Sequence, residues 1–143
     1  IDLPEDHFVL EVTESLLVED ASRLDELIGE LESLQAKIWI DDFGTGYSSL
    51  SNLHRLPIDC LKVDRSFIDD VQHPDDELPL LRSILAMASG LDIEVIAEGI
   101  EDAVQTDWLR GAGFSYGQGY FYGRPMSVER IDEYLRSGRR LPG

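Results

Sequence analysis

The chain has 143 residues, of which 43% are hydrophobic, and its 12 basic and 29 acidic residues give a formal net charge of −17 at pH 7. This length and apolar content fit one compact domain with a buried core and exclude an intrinsically disordered chain. The negative charge disfavours nucleic-acid polymers and anionic membrane surfaces as partners, whereas a small phosphorylated ligand can bind where metals or basic side chains reverse the local potential.

Predicted strands alternate with predicted helices along the chain. The apolar spacing predicts, in order, a strand at residues 8–12, a helix at 20–34, a strand at 38–40, a helix at 48–56, a strand at 60–63, a helix at 78–88, a strand at 93–97, a helix at 103–110, a strand at 114–118 and a helix at 127–135. Pro57 ends the second helix, Gly90 suits the turn after the third, and Ser127 suits the N-cap of the last. This alternation is typical of parallel βαβ units.

The predicted strands are apolar on both faces, as expected of parallel strands that helices cover. Two α/β architectures fit such strands: a doubly wound open sheet and a closed barrel. No Gly-x-Gly-x-x-Gly pattern follows the first strand, which disfavours a doubly wound dinucleotide-binding fold.

Acidic residues gather at the carboxyl ends of the predicted strands. The first strand contains Glu11 and ends near Glu14, the second ends at Asp41 and Asp42, the third carries Lys62 and ends at Asp64, the fourth ends at Glu98 with Glu101 just beyond, and the fifth ends at Gln118. In parallel strands these ends share one rim, which in a (β/α)8 barrel is the active-site face. One such residue is ordinarily a helix cap, and by itself the Asp41-Asp42 pair fits a polar turn as well as a metal site. Several together favour a shared site for Mg²⁺ or Mn²⁺, which prefer oxygen ligands.

Lys62 lies inside an apolar strand, where a charged side chain needs a carboxylate partner. A period of two places Lys62 and Asp64 on one face of the strand and the apolar residues on the other. Two interpretations stay open. One is a structural ion pair with a neighbouring strand, and the other is a positive group beside a phosphate or an attacking water.

The segment Gly44-Thr45-Gly46 directly follows the aspartate pair and its phenylalanine. A Gly-x-Gly pattern alone usually marks a turn, but after two carboxylates it indicates a mobile loop over the site. An aromatic cluster follows the last strand and comprises Tyr116, Tyr120, Phe121 and Tyr122. The cluster favours core and rim packing over a platform for stacking bases.

Together these motifs resemble the EAL domain, the family of cyclic di-GMP phosphodiesterases. The matching segments are Leu10-Glu11-Val12-Thr13-Glu14-Ser15, Asp41-Asp42-Phe43-Gly44-Thr45-Gly46-Tyr47-Ser48-Ser49, Leu61-Lys62-Val63-Asp64, Ala97-Glu98-Gly99-Ile100-Glu101, Gln118-Gly119-Tyr120 and Arg124-Pro125. The family fold is a modified TIM barrel. The resemblance therefore implies an α/β chain that forms about the last five units of a TIM-like (β/α)8 barrel, with residues 1–143 as the carboxyl-terminal part of a single domain.

The resemblance also implies roles for the rim residues. Glu11 and Asp41 would bind a first divalent metal, Asp41 would bridge to a second, and Asp42 would bind that second metal. Glu98 is similar to the acidic residue at the second metal that is often proposed as general base, and Lys62 to the lysine beside the nucleophilic water. Glu14 is similar to the residue that anchors the loop after Asp42. The remaining expected site residues are Asp64, Glu101 and Gln118 behind the ligands or beside the substrate, and the substrate-side loop of Gly44, Thr45 and Gly46.

The implied reaction is hydrolysis of one phosphodiester of cyclic di-GMP to linear pGpG, with two Mg²⁺ or Mn²⁺ ions that activate water and hold the phosphate. The alternative is a catalytically inactive module that binds cyclic di-GMP or contacts a partner protein. Degenerate members of the family usually lack a metal ligand, and the motifs within this chain are intact. The upstream residues would discriminate between the two hypotheses.

The signature Glu-Ala-Leu segment and the asparagine of the next strand are absent from the chain. A TIM barrel needs about 250 residues and eight strands, so we expect the chain to belong to a longer protein, in which a GGDEF or sensory domain often precedes the EAL domain. The fragment alone is expected to be inactive. Its first strand would have an unpaired edge, which predicts a homodimer or a strand-paired assembly. The single cysteine, Cys60, suits a reducing compartment and a cytoplasmic location for this domain.

Overall fold

One parallel sheet organises the structure, a computed structural model that describes residues 8–14, 26, 29–30, 33, 36–46 and 53–138. Its strands are β1 (Val9–Thr13), β2 (Lys37–Phe43), β3 (Cys60–Val63), β4 (Glu94–Ala97) and β5 (Tyr116–Gly117). The helices with described bounds are α1 (Arg65–Ile68), α2 (Pro79–Gly90), α3 (Ala103–Ala112) and α4 (Val128–Arg136). Residues 26, 29, 30, 33 and 53 are also helical, while most of the predicted helices at 20–34 and 48–56 lies outside the described residues.

The strands are hydrogen-bonded in chain order, β1-β2-β3-β4-β5, and each is parallel to its neighbours. A doubly wound sheet reverses its strand order at a switch point, whereas a (β/α)8 barrel adds strands consecutively. The observed order confirms the prediction of a partial TIM-like barrel over a doubly wound sheet. Within the described part of the chain, no helix combines the length and apolar character needed to cross a membrane.

The core lies between the sheet and its helices. Three central strands contribute to it. Residues alternate in β3 and β4, whereas the two of β2 are three apart because the register shifts between them: Ile40, Phe43, Leu61, Val63, Val95 and Ala97. Helices α2 and α3 add Leu81, Ile84, Ala88, Trp108 and Leu109. All four residues of β3 are buried. Because side chains alternate across a strand, Lys62 points to the opposite face from Leu61 and Val63. The sheet thus fixes which residues face the helices and which face the side that carries the carboxylates.

Several element boundaries differ from those predicted. β2 runs through Phe43, so Asp41 and Asp42 belong to the strand and do not follow it. Gly90 is the last residue of α2 rather than the turn after it, and Asp92 adopts the left-handed conformation with φ 58°. The side chain of Ser127 occupies the N-cap position of α4 but makes no cap hydrogen bond.

Helix α1 was not predicted. Its N-cap is Asp64, whose carboxylate accepts from the backbone N–H of Ser66 at 3.0 Å. A four-residue helix gives no periodic apolar signal, so the Asp-x-Ser pattern was the only available sequence indication. β5 is also shorter than the predicted strand, because only Tyr116 and Gly117 pair with β4.

Candidate active site

Lys62 lies at the centre of three carboxylates, two of them on strands β1 and β2 and the third directly after β4. Its Nζ is 2.9 Å from Oδ1 of Asp41, 2.9 Å from Oε1 of Glu98 and 3.1 Å from Oε2 of Glu11. The Lys62 side chain is only 7% exposed. The structure therefore brings together residues of β1, β2 and β3 and the residue that follows β4.

The three carboxylates determine the charge state of Lys62. Burial lowers the pKa of Lys62, but the hydrogen bonds with Asp41, Glu98 and Glu11 more than offset that effect and hold its pKa above the ordinary lysine value. The ammonium group is therefore charged at neutral pH. The sequence left two interpretations of Lys62 open, a structural ion pair and a positive group beside a phosphate or water. The structure shows the ion pair, and its carboxylate partners are residues of the predicted site.

Asp41, Asp42 and Glu98 form a second, overlapping group. Each of the three offers a carboxylate oxygen that lies within 4.8 Å of the others. Asp42 has a left-handed backbone with φ 54°, and its N–H donates to Oδ1 of Asp41 at 3.1 Å. This conformation is uncommon for a residue with a side chain, and it turns two adjacent strand residues toward one point. Glu98 is held by its backbone N–H, which donates to the Val63 carbonyl at 3.1 Å.

The donor set of this group fits a divalent metal. Carboxylate oxygens are the ligands that Mg²⁺ and Mn²⁺ prefer, and three of them at this spacing carry a negative charge that a divalent cation would reduce. Asp41, Asp42 and Glu98 would hold such an ion. Glu11, which the sequence also predicts as a ligand, joins the site through Lys62 and lies outside the three-carboxylate group.

Glu14 holds the loop after β2. Its side chain is buried, with 3% of the residue exposed, and Oε2 accepts from the N–H groups of Gly44 at 2.8 Å and Gly46 at 3.1 Å. Thr45 closes the turn, because its Oγ1 donates to the Asp42 carbonyl at 2.8 Å. The predicted substrate-side loop is therefore joined to the strand that carries Glu11.

The three remaining predicted residues lie around the site and not in it. Asp64 accepts from the Ser66 hydroxyl at 2.6 Å, a hydrogen bond that holds the pKa of Asp64 below its ordinary value. Glu101 pairs with Arg65 at 2.8 Å. Gln118 is exposed, and its backbone bridges the loops through hydrogen bonds with Ala97 and Ile100.

The aromatic cluster divides into two pairs. Phe121 and Tyr122 are half-buried against the core and meet edge to face at 5.4 Å. Tyr116 and Tyr120 are about half exposed, and Arg124 lies over the Tyr120 ring at 4.3 Å. They border an open cavity of about 910 Å³ on the Lys62 side of the sheet. The predicted core packing is found for Phe121 and Tyr122, and the predicted rim position for Tyr116 and Tyr120.

Some residues that support the site were not predicted. Arg65 and Phe67 of α1 contact the loops on either side of it, and buried Gln105 of α3 bonds to both α1 and Glu101. Trp39 also borders the cavity, and its buried indole N–H finds no hydrogen-bond partner among the described residues. These contacts join residues far apart in the sequence, so only the Asp64 cap signal could have indicated any of them.

The family is decided by comparison with known proteins. A sequence model of the EAL domain matches residues 2–125. The chain belongs to the EAL domain family. This confirms the resemblance drawn from the matching segments.

Curated relatives of this EAL domain include named phosphodiesterases. The chain is 43% identical over 130 residues to the cyclic di-GMP phosphodiesterase NbdA of Pseudomonas aeruginosa, which is 91% of this chain and 17% of that protein. It is 38% identical over 127 residues to the cyclic di-GMP phosphodiesterase PdeR of Escherichia coli, which is 89% of this chain and 19% of that protein. The chain thus spans less than a fifth of the length of these two relatives.

Solved EAL structures share its fold. The PaMucR phosphodiesterase in complex with c-di-GMP has a TM-score of 0.79 at 41% identity, with 87% of this chain and 51% of that chain covered. The EAL domain of Mycobacterium smegmatis DcpA gives a TM-score of 0.82 at 36% identity, with 96% and 62% covered. Klebsiella pneumoniae BlrP1, solved as a manganese and cy-diGMP complex, gives a TM-score of 0.75 at 32% identity, with 86% of this chain and 31% of that chain covered. Divalent metal and cyclic di-GMP therefore occur together in a structure of this fold.

Proposed function

We propose that this EAL chain supplies the carboxyl-terminal part of a domain that hydrolyses one phosphodiester of cyclic di-GMP to linear pGpG. The observation that carries the proposal is the arrangement of Asp41, Asp42 and Glu98 within 4.8 Å of one another, next to a buried Lys62. The family membership and the named activity of the relatives support the choice of substrate.

Two divalent metals, Mg²⁺ or Mn²⁺, would supply the acidity that activates a water and neutralises the phosphate charge. Glu98 would accept the proton of the attacking water, because its carboxylate sits at the rim beside the aspartate pair. The Lys62 ammonium would stabilise negative charge that develops on the phosphate while a P–O bond to one ribose breaks. Glu11, Asp41, Asp42 and Glu98 would be the metal ligands that this chain supplies, as the family resemblance implies.

The loop after β2 would cover the substrate. Gly44, Thr45 and Gly46 are all exposed at the rim, and Glu14 fixes two of their N–H groups. Glu101 and Gln118 would approach the substrate from the other side of the rim. A loop that a buried carboxylate holds at the rim can lie over a bound nucleotide and exclude water.

The complete reaction would need more of the domain than this chain. The chain covers 51% of the PaMucR chain and 62% of the DcpA chain. β1 lies at an edge of the sheet, and Val9 and Leu10 on it are about 40% exposed. We therefore expect the isolated chain to be inactive and to associate through this edge with further strands, either of the same domain or of a second copy.

The test is hydrolysis of cyclic di-GMP by a protein that contains the complete domain, with Mg²⁺, Mn²⁺ or chelator. We expect metal-dependent release of pGpG, and a loss of about 10²- to 10⁴-fold in kcat for Glu98→Gln. Glu133→Gln, an exposed residue of α4, is the matched control and should retain activity. A folded domain that binds cyclic di-GMP but releases no pGpG with either metal would refute the proposal in favour of the inactive binding module.

A further inference from the structure

The short helix α1 touches the loop that follows β2, the strand of Asp41 and Asp42, and the loop after β4 that carries Glu98. On one side, a Cβ added to Gly44, whose φ is 98°, would lie 2.8 Å from two carbons of the Phe67 ring. On the other side, a Cβ added to Gly99, whose φ is 74°, would lie 2.5 to 2.8 Å from the aliphatic carbons of Arg65. Each glycine therefore lets the backbone of its loop approach α1 more closely than a residue with a side chain would permit.

Polar contacts fix α1 to the loop after β4. Arg65 Nη1 lies 2.8 Å from Oε1 of Glu101. Gln105 joins the same two elements: its Nε2–H donates to the Ile68 carbonyl at 3.3 Å, and its Oε1 accepts from the Glu101 N–H at 2.7 Å. Because Gln105 and Ile68 are both buried, α1 cannot move away from α3 and the loop after β4 without breaking a buried hydrogen bond.

The two loops that α1 contacts are adjacent to the catalytic carboxylates. Gly44 follows Asp42 by two residues, and Gly99 directly follows Glu98. β3 supplies Lys62 and leads into α1 through the cap residue Asp64. A displacement of α1 would therefore reach the carboxylates of both neighbouring strands.

We propose that α1 is a positioning element that couples the loop after β2 to the loop after β4, with Phe67 and Arg65 as its two contact residues. Asp41 and Asp42 at the end of β2 and Glu98 after β4 then reach their arrangement together. This inference rests on the proposed function for its kinetic readout, but the coupling itself is a property of the metal-free protein.

Hydrogen–deuterium exchange on the metal-free complete domain tests the coupling without any activity. Phe67→Ala removes the contact with Gly44, and Arg65→Ala removes the contacts with Gly99 and Glu101. Coupling predicts that each variant speeds exchange by about threefold in both loops, 42–46 and 98–101. Arg110→Ala, which breaks an exposed pair with Asp107 at 3.6 Å, is the control and should change neither loop. Exchange that rises only in the loop that the mutated residue touches would overturn the proposal.

Steady-state kinetics then separates positioning from simple loss of structure. Each single variant should lower kcat by about tenfold at unchanged KM, since misplaced ligands affect the chemical step. Because both act through α1, the double variant should lose about tenfold as well, whereas independent effects would multiply to about a hundredfold. Arg65→Lys, which keeps the aliphatic stem and the charge, should restore most of the activity.

The outcomes are distinguishable. Multiplying effects, or equal loss in Arg65→Lys and Arg65→Ala, would overturn the coupling even if the wild type is active. A wild-type domain without turnover would refute the proposed function, while the exchange measurement would still decide whether α1 couples the loops. A variant that unfolds globally loses protection in α2 and α3 as well, and Phe67→Leu then replaces Phe67→Ala as the milder probe.

Discussion

Replacing Lys62 by methionine tests the electrostatic balance of the site. Methionine has a similar length but no charge, so Glu11, Asp41 and Glu98 lose the ammonium that lies within 3.1 Å of each. Three carboxylates would then face one another across a partly buried gap. We expect the metal-free variant to be clearly less stable than the wild type.

The size of the effect follows from burial. Removing one partner of a fully buried ion pair costs about 3–5 kcal/mol. Here the side chains of Glu11, Asp41 and Glu98 are 47%, 26% and 19% exposed. Water screens part of the repulsion, so we expect a loss of about 2–4 kcal/mol in the free energy of unfolding. The pKa of Lys62 is raised in the folded state, so its contribution is complete at neutral pH and declines only as pH rises above the ordinary lysine value.

Urea unfolding of the complete domain, followed by circular dichroism with chelator present, measures this loss. Lys37→Met, at an exposed position of β2, is the matched control and should change stability by less than about 0.5 kcal/mol. A divalent cation should rescue the variant, by about 2.7 kcal/mol at a hundred times its dissociation constant. If Lys62→Met is as stable as Lys37→Met in chelator, the three carboxylates do not depend on the lysine and the reasoning is wrong.

Three further predictions concern other parts of the structure. Glu14→Ala should speed amide exchange at Gly44 and Gly46 and lower turnover, because the buried carboxylate binds both N–H groups; unchanged exchange would show that the loop is held elsewhere. Gly119→Ala should lower the free energy of unfolding by more than about 3 kcal/mol, because the added Cβ meets the Ile100 backbone. Gly111→Ala, which has open space around it in α3, should raise the free energy of unfolding by about 0.5–1 kcal/mol. Denaturant midpoints compare the two variants directly. Burial, helped by Glu94, raises the pKa of the Cys60 thiol to about 11. Alkylation of the folded domain should therefore be negligible at pH 8, and rapid labelling would contradict this. The free energy of unfolding should also fall as the pH rises from about 9 to about 11, because the unfolded thiol ionises first.

The strands could be predicted from the sequence because each is a short apolar run with polar ends. β3 has the predicted bounds, β4 begins one residue later than predicted, and β1 is shifted by one residue at both ends. The rim carboxylates could be predicted as neighbours, because parallel strands place their carboxyl ends together. Even so, the sequence left open whether Lys62 was structural or functional, since spacing does not show how many carboxylates reach one ammonium.

The contacts that could not be predicted are those that link distant residues or depend on backbone geometry. Gln105 and Ile68 are 37 residues apart, and nothing in either local pattern indicates their hydrogen bond. Asp42 reads as a turn residue after a strand, but β2 continues through it with a positive φ. Asp64 was interpreted as a rim carboxylate, whereas its position as the cap of a four-residue helix became evident only from the three-dimensional structure.

The consecutive strand order has a consequence for how the chain folds. Every strand pairs with the next one in the sequence, so a single crossover is enough to bring each new neighbour into register. Pairings of this kind need only moderate loop closure, and they can form one after another as a chain leaves the ribosome. Lys62 on the middle strand would then be fully buried only when β4 docks, and before that step its ammonium would remain hydrated on the side that Glu98 later occupies.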